Sequence, residues 1–67
     1  MSVLKVLEIL SSSPKSWEAA AESAVAEASK TVRDIRSVNI SNMSAKVENG
    51  KISEYRLNCK VTFEVGG

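Results

Sequence analysis

Cys59 carries the only thiol in the chain, and no histidine accompanies it. A cysteine nucleophile needs a neighbouring base or positive field to hold it as thiolate. A cysteine-based zinc site needs several such ligands, and a disulfide within one chain needs two. None of these can be assembled here. The three glycines fall at positions 50, 66 and 67, so no glycine-rich loop precedes a helix to cradle phosphate. Trp17 offers a flat face on which a ligand could stack. Its spacing from Ala21, Ala24, Val25 and Ala28 instead makes it the anchor of a helical stripe. These residue types exclude catalysis. A formal charge of +1, with both signs dispersed, also excludes an electrostatic footprint for nucleic acid.

The elements that position these groups centre on Tyr55 to Val65. Tyr55, Leu57, Cys59, Val61, Phe63 and Val65 alternate with Arg56, Asn58, Lys60, Thr62 and Glu64. Strict period two puts one face of an extended strand against a core and the other against something polar. Cys59 therefore lies on the core face, where packing is its role. Just before, Glu48-Asn49-Gly50-Lys51 supplies the residue pair suited to a type I′ hairpin.

Val3 to Leu10 reads as a first strand from its β-branched content, although Leu4, Leu7 and Leu10 also fit a helix. Ser11-Ser12-Ser13-Pro14 is expected to stop it, with Ser13 capping a helix and Pro14 at the first helical position. The spacing of Trp17, Ala21, Ala24, Val25, Ala28, Val32 and Ile35 predicts a helix from Trp17 to about Val32. Its acidic residues lead while Lys30 and Arg33 trail, as the helix dipole favours.

Arg36 to Glu48 is the second strand, and its apolar pattern changes phase. Val38 and Ile40 keep one phase, whereas Met43, Ala45 and Val47 keep the other. Counting back from an Asn49-Gly50 turn pairs Val47 with Ile52, Asn42 with Leu57, Ile40 with Cys59 and Val38 with Val61. That register puts Met43, Ala45, Val47 and Ile52 on the face opposite the helix. The alternative is a bulge at Ser41-Asn42 that returns every apolar residue to one face.

A helix between the first two strands makes them parallel, and the hairpin places the third strand between them. The expected fold is α+β: β-α-β-β, a three-stranded sheet in order 1-3-2 packed on one helix, forming one domain over residues 1–67. A chain this short needs support beyond its own core, and self-association is the support available. Met1 to Leu10 is too short and too charged for a signal peptide or membrane span, so the expected setting is cytoplasmic, with no membrane partner.

The stretches Ser12-Ser13-Pro14-Lys15-Ser16-Trp17-Glu18-Ala19-Ala20, Ala28 to Ile35, Ala45 to Ile52 and Glu54-Tyr55-Arg56 resemble the dodecins, and the resemblance runs through essentially the whole chain. It implies a hollow homododecamer that stores a small-molecule ligand without catalysis, with flavin (riboflavin or FMN) as the first candidate. In that family a tryptophan early in the second strand stacks on the flavin ring, and a glutamine in the third strand bonds its pyrimidine edge. By position these fall on Ser37 and Arg56. Ser37 has no aromatic face, and Arg56 has donors only. A branch with a similar Ser-Pro-x-Ser-Trp-Glu helix start looks adapted to calcium, the alternative ligand. Asp34, Glu48, Glu54, Glu64, asparagine side chains and backbone carbonyls are its candidate oxygen donors, although no Asp-x-Asp loop groups them.

Overall fold

The alternating strand lies at the centre of the sheet, where the connection rules put it. The computed structural model describes residues 3–66, with β1 at Val3–Ser13, α1 at Trp17–Ala28, β2 at Ile35–Glu48 and β3 at Lys51–Val65. β3 pairs antiparallel with both neighbours in the order β1-β3-β2. The hairpin closes through Asn49 (φ 53°) and Gly50 (φ 75°), the two positive φ values that a type I′ turn requires. β1 and β2 are the sheet's edges, each with an unpaired row of backbone groups.

β1 runs on through Ser13 instead of stopping at Leu10, because the extended β3 offers partners as far as Tyr55. The serines divide the work differently from expectation. Ser13 accepts from Lys15 N at 3.0 Å in a local turn. Ser16, with extended backbone, caps α1 by accepting from Ala19 N at 3.0 Å. The helix is also shorter than its apolar spacing suggests. At its end Ser29 Oγ donates to Val25 O at 2.8 Å, and Thr31 and Val32 return their N–H groups to Ala28 O. These bonds satisfy the last carbonyls and close the helix before Val32.

The buried stripe of α1 is Ala20, Ala24 and Ala28; Ala20 and Ala24 pack with Leu57 and Cys59, flanked by Ile9, Trp17, Ala21 and Val38. Alanines at i, i+4 and i+8 let the helix axis approach the sheet closely. Trp17 anchors its first turn: Nε1 donates to Ser44 O at 3.0 Å, and its ring meets Tyr55 edge-on at 4.8 Å. Cys59 is fully buried in this core. Its thiol is expected to react slowly with a thiol reagent in the native protein and rapidly in denaturant. Equal rates in both states would place it on the surface.

The register corrects the pairing expected between Asn42 and Leu57. Ile40 faces Cys59 and Val38 faces Val61, but Leu57 pairs with Met43, and Asn42 pairs with Asn58. Ser53 is an extra residue in β3 that advances the pairing by one, and Ser41 is an extra residue in β2 that takes it back; Arg36 is a third, near the start of β2. The bulge at Ser41 brings Met43 onto the side of Leu57, under the helix. Alternation then carries Ala45 and Val47 to that side, and Ile52 with them. The apolar side of β2 therefore does not change face.

The tip stays uncovered for a reason of length. Twelve helical residues span about 18 Å at 1.5 Å each, against a long dimension of 52 Å for the molecule. Val47 (62%) and Ile52 (48%) remain exposed beyond the helix, and Met43 is only partly covered beside its first turns.

Candidate functional site

With the helix on one face, the other face of the sheet is open, and the polar residues of β3 project onto it. Across the strands they form rows: Ser12–Arg56–Ser44, then Leu10–Asn58–Asn42, then Glu8–Lys60–Asn39, then Val6–Thr62–Ser37. Directly paired residues share a face, so the members of each row are neighbours. Ser37 and Arg56, the two positions singled out from the sequence, both lie on this open face. They are not together. Six positions of β3 separate their rows, roughly 20 Å at 3.3 Å per residue. A ligand shorter than that span cannot touch both residues of one chain.

Around Arg56 the open face forms a pocket of about 410 Å3 lined by Leu10, Ser12, Asn42, Ser44, Arg56 and Asn58, among others. Asn58 Oδ1 is buried there and has no hydrogen-bond partner among the described residues. Arg56 Nε lies 3.6 Å from Glu54 Oε1, an exposed contact beyond hydrogen-bond length. Single-residue reasoning picked out Arg56 but not Asn58. The signal that would have found it is the alternation that assigns Arg56, Asn58 and Lys60 to one polar face.

No aromatic ring reaches this face. Trp17 and Tyr55 pack on each other on the helix side. Phe63 follows Cys59 and Val61 in the same alternation, opposite Ile35. The chain has one each of tryptophan, tyrosine and phenylalanine, so all three are turned away from the pocket. A flavin ring here would have no aromatic partner within its own chain, and the residues do not fit one.

The candidate oxygen donors for calcium are dispersed. Among the described residues no three acidic, cysteine or histidine side chains converge. Glu64 Oε1 takes Arg36 Nη2 at 2.6 Å and Nε at 3.1 Å. That hydrogen bond, and then the charge of Glu64, raises the Arg36 guanidinium above its ordinary pKa, with Asp34 adding to the effect. Glu48 pairs with Lys46 at 3.2 Å, and Glu54 faces Arg56. Asp34 stands apart from these pairs. It is exposed, with φ 57°, and its carbonyl accepts from Glu64 N at 3.0 Å. A single chain therefore brings no calcium cage together from these four residues. Among the described residues no helix is long and apolar enough to cross a membrane.

A family model described as Dodecin matches residues 3–66. The calcium dodecin of Mycobacterium tuberculosis is 42% identical over 66 residues, covering 97% of this chain and 92% of that protein. Its crystal structure, described as that of a calcium-chelating immunodominant antigen with a novel calcium-binding site, is 43% identical at a TM-score of 0.80, over 92% of this chain and 89% of that one. An arginine-to-alanine variant of Thermus thermophilus dodecin superposes at a TM-score of 0.94 with 25% identity and full coverage of both chains. Dodecin from Streptomyces coelicolor shares the fold, at a TM-score of 0.92 and 23% identity over 98% of this chain and 94% of that one.

Proposed function

This chain belongs to the dodecin family, a family of non-enzymatic binding proteins, and from that premise we propose that it is a self-assembled store for a small ligand, with calcium preferred to flavin. The observation that carries the choice is the open face without an aromatic ring. A flavin store needs a stacking partner there, and a calcium store does not. The similarity to a calcium dodecin points the same way.

Calcium takes six to eight oxygens, and one copy of this chain groups too few acidic side chains to supply them. We place the site where copies meet in a homododecamer, with Asp34 as the carboxylate available to it. Glu64, beside Asp34 in the fold, is held by Arg36.

Calorimetric titration of chelator-stripped, assembled protein is expected to show saturable calcium uptake. Asp34→Asn removes the charge but keeps a residue that tolerates positive φ, so the fold should be unchanged. Losing one carboxylate ligand should weaken calcium binding by roughly tenfold or more. No calcium uptake by assembled protein would overturn the reading. Unchanged affinity in Asp34→Asn would remove Asp34 from the site.

A further inference from the structure

The helix side of the sheet carries two apolar surfaces that its own helix leaves uncovered. The first lies along one flank of α1, which packs on β1 and β3 and barely meets β2. Two open, almost wholly apolar hollows run along that flank and share Ala21. One, of about 350 Å3, lies between Ala21, Val25 and Ala26 of α1 and Val38 of β2. The other, of about 300 Å3, lies between Trp17 and Ala21 of α1 and Ile40 and Met43 of β2. Together they form a groove beside the helix. The second surface is the hairpin tip, where Val47 and Ile52 pair with each other and stand exposed. Nine positions of β2 separate Val38 from Val47, roughly 30 Å along the strand. The tip therefore cannot fill the groove of its own chain.

Charge indicates what the groove receives. Glu18 and Glu22 stand exposed on its helix rim. Lys51, next to Ile52 at the end of the hairpin, is exposed as well. Among the described residues none of these three belongs to an ion pair, whereas Lys46 and Glu48 at the tip already hold each other. An apolar groove with an acidic rim thus has its complement in an apolar tip with a basic end.

We infer that the hairpin tip of one copy seats in the α1–β2 groove of another, with Val47 and Ile52 in the hollows and Lys51 against Glu18 and Glu22. The inference rests on the self-assembly proposed above, and it is independent of which ligand the assembly holds. Each copy gives one tip and receives another.

The test places a thiol on each surface of the assembled protein and cross-links with a short bis-maleimide, the native Cys59 being fully buried. Chains carrying both Val47→Cys and Ala26→Cys are expected to form covalent dimers and larger ladders on a denaturing gel. Either substitution alone should leave mostly single chains. Independently, Lys51→Glu should raise the protein concentration at which the assembly dissociates several-fold at low salt. Adding Glu18→Lys and Glu22→Lys to the same chain should restore it.

A double-cysteine variant that assembles but does not cross-link would overturn the inference and leave self-assembly standing. Ladders from Val47→Cys alone, equal to those of the double variant, would overturn it by showing that tip meets tip. Lys51→Glu without effect, or without rescue by the reversed glutamates, would also overturn it. An unmodified chain that runs at 7.2 kDa would remove the assembly itself, and the seat with it.

Discussion

Val47→Glu or Ile52→Glu is expected to leave the protein dispersed or unfolded. Among the described residues the single chain buries six apolar side chains, and three of them are alanine. That is a thin core for a domain of 67 residues, in a size range where proteins rely on disulfides, metals or partner subunits. Meanwhile Val47 and Ile52 lie exposed beyond the end of the helix, on the apolar side of the sheet. Covering each with another copy contributes up to about 1.5–3 kcal/mol. A glutamate there forfeits that gain and adds the cost of desolvating a charge. Because folding and assembly are linked, losing the contact lowers the stability of the subunit itself.

Light scattering on a size-exclusion column separates the outcomes. The unmodified chain should run as a multiple of 7.2 kDa, with twelve copies expected, and Val47→Ile should behave like it. The glutamate variants should elute as small or aggregated species. A compact 7.2 kDa monomer for the unmodified chain, or full assembly of both glutamate variants, would show that these side chains face solvent.

The strand order was legible because β3 announces itself: six apolar residues at period two, preceded by Asn49-Gly50, fix a hairpin arm and its buried face without reference to anything else. The register near the tip was not, because a bulge is a pairwise property. Ser53 is extra only relative to Lys46 and Val47 across the strand. The phase change at Ser41-Asn42 was visible in β2 and left two readings open, a change of face or a bulge there, and the straight count from the turn favoured the first. The compensating bulge at Ser53 left no mark in the alternation that begins at Tyr55. A straight count from the turn therefore ran one residue out in the middle of the hairpin, and recovered at Ile40–Cys59. The same limit applies to the capping serines. Ser13 and Ser16 have equal chemistry, and the difference is that Ser13 still has a strand partner in Tyr55.

The site was legible in a more restricted sense. Residue type showed that Ser37 cannot stack and that Arg56 cannot replace an amide. That all three aromatics point to the helix side needed the sheet pairing and the Trp17–Tyr55 contact. The unpartnered carbonyl of Asn58 needed the packed side chains. Ser37 and Arg56 share the open face of one chain but lie in rows six positions apart.

That separation shapes the expected response to flavin. The unmodified assembly should quench riboflavin fluorescence weakly at micromolar concentration, because nothing aromatic faces the ligand. Ser37→Trp supplies a stack worth about 0.5–1.5 kcal/mol beyond the buried area, and the indole adds area at about 25 cal/mol per Å2. Arg56→Gln restores an acceptor beside a donor for the pyrimidine edge. Together these should raise riboflavin affinity by about tenfold or more, at roughly 1.4 kcal/mol per factor of ten. Arg56→Gln alone should not, since it supplies no ring. Ser37 on β2 and Arg56 on β3 lie in rows six positions apart in one chain, so the gain is expected to come from residues of different copies. Adding Val47→Glu to the double variant should therefore abolish it along with the assembly. Tight riboflavin binding by the unmodified protein would mean that another contact replaces the stack, and the preference for calcium would fall. A gain that survives dissociation would mean that one chain alone completes the site, and its placement between copies would be wrong.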